Sequence, residues 1–283
     1  MRNLSRNNSL IMVVALALGL AVTGCVIMAD DGNGISQADR GFRENWHKTF
    51  PLGPDGRFSL KNVNGNIKVT TWDKAEADVS AVKIARRSES DLKLVTIETD
   101  ARPGYVAIDT VWPKTPLRNL RVKVEYEVKV PAGVRLELIR STNGDVELSG
   151  KYGEIQAKTT NGGVRLEGTS GPAVLDTTNG DIVGRDISGS VKADTTNGSI
   201  TMTIEGLKDD VVASTTNGSI TIRLIGPVNA RLEADTTNGH IDVAVPVTIK
   251  ELSRSRRSIS GTIGDGGPLL SLDTTNGSIH IEK

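Results

Sequence analysis

Asp176 and Asp194 lie 18 residues apart in a chain that repeats itself at that interval. A stacked fold would hold their carboxylates about 5 Å apart, near the separation of a retaining glycosidase pair. They belong to a column, three residues before a recurring asparagine, that reads Arg140, Lys158, Asp176, Asp194, Ser214, Asp235 and Asp273. In the chemical reading, one carboxylate donates a proton and the other attacks. In the plain reading, Lys158 offsets Asp176 and the column is a solvated strip. The plain reading is favoured, because three consecutive 18-residue periods leave no long loop to wall a cleft, and no aromatic residue follows Tyr152 to stack on a sugar ring. Other chemistries find less. His47, His240 and His280 lack the spacing of a His-Glu-x-x-His metal site. Asp145 and Asp181 follow an Asn-Gly as in calcium-binding β-rolls, but the equivalent positions elsewhere are Gly163, Ser199, Ser219, His240 and Ser278. The sequence predicts no catalytic residue, no metal and no cofactor, with Arg140, Lys158, Asp176 and Asp194 as the candidate ligand face.

What positions that column is a repeat. Ser141-Thr142-Asn143-Gly144 is followed by Thr-Thr-Asn-Gly ending at Gly162, Gly180, Gly198, Gly218, Gly239 and Gly277, with asparagine spacings of 18, 18, 18, 20, 21 and 38. The last gap holds a degenerate copy at Ser258–Ile263, in which Ser260 replaces the asparagine. Four residues before the asparagine stand Ile139, Ala157, Leu175, Ala193, Ala213, Ala234 and Leu272. Three after it stand Val146, Val164, Ile182, Ile200, Ile220, Ile241 and Ile279. Both columns are core. A further column, mostly apolar, runs Leu148, Leu166, Gly184, Met202, Ile222, Val243 and Ile281. Each period is two short strands and two turns, without a helical period.

Two all-β folds satisfy this pattern. Asn-Gly between alternating strands is the signal of a type I′ hairpin, which would give an antiparallel β-meander or barrel. Alternatively, each 18–21-residue period is one coil of a parallel β-solenoid or β-helix. A hairpin needs only some turn-compatible pair, whereas stacked coils gain from identical amides. The solenoid therefore explains the identity of the turns. Asn143, Asn161, Asn179, Asn197, Asn217, Asn238 and Asn276 form its ladder, flanked by threonines, with glycine permitting the turn.

The N-terminus is a sorting segment: Arg2 and Arg6, the apolar run Leu10 to Ala21, then Val22-Thr23-Gly24-Cys25. It resembles a bacterial lipoprotein signal, which implies cleavage after Gly24 and acylation of Cys25, the only cysteine. The alternative is an uncleaved anchor, since Leu10 to Met28 carries no charge over 19 residues. Either reading places the body outside the cytoplasm, and lipoprotein sorting rules imply the outer membrane if the cell is Gram-negative. Residues 1–24 form the signal, 25–40 a flexible tether and 41–283 one solenoid domain, with irregular strands over 41–133 and the repeats over 134–283. The chain has 34 basic and 34 acidic residues, and loss of Arg2 and Arg6 leaves the mature form at −2. Nothing in that balance points to nucleic acid.

Asn64-Gly65-Asn66-Ile67 with Trp72-Asp73, then Val130-Pro131-Ala132-Gly133-Val134, then the Thr-Thr-Asn-Gly-x-Ile repeats, resemble the bacterial putative-adhesin family related to head-GIN-domain proteins. The resemblance covers approximately residues 58–283 and implies a non-catalytic β-solenoid displayed at the cell envelope on a lipid or membrane anchor. It carries over no catalytic residue. The arginine-rich interruption at 254–257 departs from the pattern. The expected role is adhesion or scaffolding, with an envelope protein or glycan as partner. A β-helix polysaccharide-processing enzyme and an envelope-stress accessory protein are the alternatives. Because the chain stops two residues beyond Ile281, its C-terminal strand is expected to be an open edge that docks a partner or self-associates weakly.

Overall fold

The computed structural model describes residues 41–114, 120–169, 171–248 and 257–283. The signal, Cys25, the tether, Arg254 and Arg256 lie outside them. The irregular N-terminal part holds β1 (Phe42–Pro51), β2 (Arg57–Lys61), β3 (Ile67–Trp72), β4 (Glu76–Ala85), a 3-10 turn at Glu89–Leu94, β5 (Thr96–Arg102), β6 (Tyr105–Val111) and β7 (Val122–Pro131). The repeats hold β8 (Arg135–Arg140), β9 (Val146–Ser149), β10 (Glu154–Lys158), β11 (Val164–Thr169), β12 (Ala173–Asn179), β13 (Ile182–Ile187), β14 (Val191–Asn197), β15 (Ile200–Glu205), β16 (Val211–Asn217) and β17 (Ile220–Ile225). The chain closes with β18 (Ala230–Asn238), β19 (Ile241–Val243), β20 (Val247–Thr248), β21 (Ser258–Ile263), β22 (Leu269–Asn276) and β23 (Ile279–Glu282).

From β8 to β17 the chain alternates between two sheets, and each strand pairs in parallel with its counterpart one coil away. This is a solenoid rather than a meander or barrel. Antiparallel pairs occur only towards the ends, between β1 and β4, β4 and β7, β5 and β6, β18 and β21, and β20 and β21.

Spatial order departs from chain order at both ends. The eleven-stranded sheet runs β1-β4-β7-β3-β9-β11-β13-β15-β17-β23-β19, and the twelve-stranded sheet runs β20-β21-β18-β22-β16-β14-β12-β10-β8-β2-β6-β5. Two expectations are corrected here. Ser258–Ile263 is not a degenerate coil: it runs antiparallel to β18, which pairs Ser260 with Glu233 and leaves it off the ladder. Nor is the C-terminal strand an open edge, since Ile281 pairs with Ile222 on one side and Val243 on the other. The last Thr-Thr-Asn-Gly coil is inserted between the two before it. A regular coil stacks better on a regular coil, so the irregular coil of β18 and β19 is displaced outward. Its β18 is then covered by the antiparallel β21, which blunts that sheet end.

The core follows the two inward columns. All seven residues from Ile139 to Leu272 are buried, as are all those from Val146 to Ile279 except Ile241. Ile241 stays partly exposed because β19 is the last strand of its sheet. Gly184 interrupts the third column, and the Ile187 side chain fills the gap, its Cδ1 lying 2.4 Å from where a Cβ would stand. Two buried tyrosines satisfy their hydroxyls internally. Tyr152 donates to the carbonyls of Val69 at 2.9 Å and Ser149 at 3.0 Å. Tyr126 shares a 2.7 Å hydrogen bond with Thr110. Burial disfavours the phenolate and raises both tyrosines well above their ordinary range.

Each position of the motif has its own task. The first Thr is buried, and its hydroxyl donates to the glycine carbonyl of the neighbouring coil, as Thr177 does to Gly162 at 2.8 Å and Thr274 to Gly218 at 2.8 Å. The second Thr is exposed in the central coils. The asparagine amides bond from coil to coil: Asn143 to Asn64 at 2.6 Å, then Asn161 to Asn143, Asn179 to Asn161, Asn197 to Asn179 and Asn217 to Asn197. Asn276 then donates to Asn217 at 2.9 Å and Asn238 to Asn276 at 2.8 Å, so the inserted coil also reorders this row. Glycine is required for a different reason from turn formation. A Cβ at Gly180, Gly198, Gly218 or Gly277 would stand 1.9–2.0 Å from the glycine carbonyl oxygen of the adjacent coil. Left-handed φ occurs in this column only at Gly65, Gly144 and Gly162.

Gly218→Ala should therefore destabilise by at least about 2 kcal/mol through backbone overlap. Gly53→Ala, with nothing within 4 Å of a new Cβ, should range from neutral to about 1 kcal/mol stabilising. Urea unfolding of the two variants measures the contrast. In the same assay Asn179→Ala, which loses one amide bond on each side, should cost about 1–2 kcal/mol, whereas Thr178→Ala should stay within about 0.5 kcal/mol. The raised tyrosines make stability flat below about pH 10, where the unfolded phenols begin to ionise, and falling above it. Tyr126→Phe with Tyr152→Phe should flatten that alkaline loss, as read from unfolding midpoints across the range.

Candidate functional site

The outer faces of the two sheets carry the charged side chains, and strand register decides which of them meet. On the twelve-stranded sheet, Lys61, Arg140, Lys158, Asp176, Asp194, Ser214, Asp273 and Asp235 stand on successive strands. All four sequence-derived ligand-face residues are thus adjacent. The row is polarised, with three cations followed by aspartates. Lys158 Nζ lies 2.6 Å from Asp176, and Lys192 Nζ lies 3.5 Å from Asp194. Each carboxylate of the glycosidase-like pair is matched by its own lysine on an open face.

Other singled-out residues are occupied structurally. Asp145 accepts the Gly163 N–H at 2.7 Å and Asp181 the Ser199 N–H at 2.8 Å. Ser199 and Ser219 repeat this contact to the N–H of Ser219 at 3.3 Å and of Ser278 at 3.2 Å. The residue after glycine therefore builds a second row of bonds between coils. His240 and His280 are brought together, with ring centroids 5.6 Å apart, and His240 Nδ1 is bonded to Ser278 Oγ at 2.9 Å. His47 lies far along the same sheet, 3.0 Å from Asp78. Among the described residues no group of three metal-ligating side chains converges, and no helix is long and apolar enough to cross a membrane.

A second feature, on the eleven-stranded sheet, was missed from the sequence. Lys68, Glu147, Arg165 and Val183 are register neighbours on β3, β9, β11 and β13, with Ser149, Glu167 and Arg185 two residues further along their strands. They line a shallow depression of about 300 Å³. The five charged residues are exposed. None of their side chains makes a hydrogen bond or ion pair with another described residue, in contrast to Lys158 with Asp176 or Arg223 with Glu282 at 2.7 Å. Arg165 and Arg185 stand on adjacent strands and are offset by two residues, Arg165 opposite Val183 and Arg185 opposite Glu167, and their unmatched guanidinium groups suit carboxylate or phosphate oxygens. Glu147 and Glu167 accept hydroxyl or ammonium donors beside them. Short side chains at Ser149 and Val183 leave the space between. The signal lay in the outward positions four and six residues after the asparagine, where the charges change from coil to coil.

Solved structures with a similar course of chain are of low identity. A protein named as a putative cell adhesion protein from Clostridium sporogenes is 10% identical, with a TM-score of 0.29, covering 84% of this chain and 99% of its own. A putative adhesin from Bacteroides fragilis is 10% identical, with a TM-score of 0.43 and coverage of 84% and 97%. One from Parabacteroides merdae is 13% identical, with a TM-score of 0.34 and coverage of 84% and 95%. No curated protein matches. Parallel coils racked between two sheets, together with a sequence match across residues 48–282, make this chain a member of the Toastrack DUF4097 family.

Proposed function

We propose that the protein is a non-catalytic binding or scaffold module at the bacterial cell surface, held to the membrane by lipid on Cys25. Its ligand is a charged envelope polymer or protein segment that lies across the outer sheet face. The observation that carries this reading is the unpaired cluster Lys68, Arg165 and Arg185 with Glu147 and Glu167, on strands whose spacing is set by the coil stack. Anionic groups of the ligand sit against the cations, and its hydroxyls or amines sit against the carboxylates. The lining has no aromatic residue, so recognition is ionic rather than by ring stacking. On the opposite face the row from Lys61 to Asp235 is largely self-matched, Lys158 with Asp176 and Lys192 with Asp194, and is the secondary candidate. A rigid face loses little entropy on binding, which suits an open sheet surface.

The test is retention of isolated envelope glycan and envelope protein on the purified chain across a salt series. Arg165→Ser with Arg185→Ser should weaken retention by about tenfold, roughly the worth of two solvent-exposed ion pairs, and Lys192→Ser should leave it unchanged. Equal retention by the double variant would discard this surface. In cells, Cys25→Ser should move the protein from the membrane to the soluble fraction. Retention in the membrane would favour the uncleaved anchor.

A further inference from the structure

Eight Asn-Gly pairs lie in the described part of the chain, at Asn64, Asn143, Asn161, Asn179, Asn197, Asn217, Asn238 and Asn276. Asn-Gly is the dipeptide most prone to spontaneous loss of the side-chain amide, because glycine places no side chain in the way of its own backbone nitrogen. The reaction needs that nitrogen, deprotonated, to reach the asparagine Cγ. Six of the eight pairs share the same preceding threonine-threonine, and Asn143 follows Ser-Thr, so their intrinsic rates are alike. Any large difference between them comes from the fold.

The fold separates one from the rest. In seven pairs the glycine N–H is donated to the asparagine carbonyl of the next coil: Gly65 at 2.8 Å, Gly144 and Gly180 at 2.9 Å, Gly162, Gly198 and Gly218 at 3.0 Å, and Gly277 at 3.1 Å. In the same seven the asparagine Oδ1 accepts the amide of the next rung. Nucleophile and electrophile are both held. Asn238 ends the ladder. Its Oδ1 receives no donor and the Gly239 N–H finds no acceptor among the described residues. Gly239 is also the exposed glycine of the column, the other seven being partly covered.

We infer that Asn238 is a site of spontaneous covalent modification in the folded protein, converting through a succinimide to aspartate and isoaspartate. The Gly239 nitrogen gives up its proton and bonds to Asn238 Cγ, and the side-chain nitrogen leaves as ammonia. Water then opens the five-membered imide. Opening at one carbonyl yields aspartate, and opening at the other yields isoaspartate, with the main chain routed through the former side chain. The product removes the donor that Asn238 gives to Asn276 and sets a carboxylate against that carbonyl oxygen. Isoaspartate also lengthens the backbone between β18 and β19 by one carbon, which loosens the end coil while leaving the interior rungs intact.

The full-length protein is aged in the folded state in mildly alkaline buffer, with a parallel sample in denaturant, and both are mapped by mass spectrometry that resolves asparagine, aspartate and isoaspartate. In the folded sample Asn238 should convert at least about tenfold faster than any of the seven interior asparagines, since those react only after local opening. In denaturant the rates of the seven Thr-preceded pairs should converge. Asn33-Gly34, outside the described residues, is scored separately. An interior asparagine that converts as fast as Asn238 in the folded protein, or an Asn238 that stays intact while the denatured sample reacts, would overturn the assignment.

Discussion

The glycine carbonyl of one coil lies against the glycine Cα of the next, and the rest of the structure depends on that approach. At 1.9–2.3 Å from an added Cβ along the stack from Gly144 to Gly277, no side chain fits, so every coil must turn on glycine at this corner. Once the corners coincide, the preceding asparagines coincide as well, and so do the buried threonines two residues earlier. Register then propagates into both sheets, because each strand begins a fixed number of residues from the corner. The inward columns of Ile139 and Val146 fall on their counterparts without further selection. The same rule sets the outer rows, which places Lys158 on Asp176 and Glu147 between Lys68 and Arg165.

A stack of this kind has two ends where hydrogen bonds run out, and the chain manages them by leaving sequential order. At one end β6 and β7 lie outside β2 and β3, although they start 48 and 55 residues after them, and antiparallel strands close both sheets there. At the other end β22 and β23 enter between earlier coils, and β21 covers β18. In both places the coil nearest the motif consensus is kept inside and a less regular one is moved out. Backbone pairing rewards the chain most where neighbouring coils match, so the mismatch collects at the ends. The stack of β19 on β23 is the exception, a three-residue strand with one unpaired side.

Much of this was readable from residue types. The columns at Ile139 and Val146 marked the core, and the identity of the turns distinguished stacked coils from hairpins, because only stacking makes Asn161 and Asn179 touch. What a linear reading could not supply was anything decided by contact between distant coils. Asn-Gly in a short window reads as a left-handed turn, yet Gly180 to Gly277 lack that φ and are selected by a carbonyl 18 or more residues away. Ser260 looked like a worn asparagine, and the direction of its strand is set by pairing with β18. Asn238 and Asn276 are identical in local sequence, and only their spatial order reveals which one ends the row. The charged depression was missed because its residues fall on a column that does not repeat, and alignment on the repeat draws attention away from it.

That contrast bears on where function resides. Positions under the stacking constraint cannot vary without breaking register, so they carry no freedom to encode a ligand. Outward positions are held at fixed spacing by the same frame but are free in type. Glu147, Arg165 and Val183 occupy equivalent places in three successive coils and share no chemistry. On the other face the equivalent position changes from the cations Arg140 and Lys158 to the carboxylate of Asp176. Where such free positions are charged, the least costly arrangement is mutual pairing, as Lys158 makes with Asp176. A cluster that leaves three cations and two carboxylates exposed and unpaired forgoes that small gain, and its side chains remain available to an outside partner at distances the coils have already set.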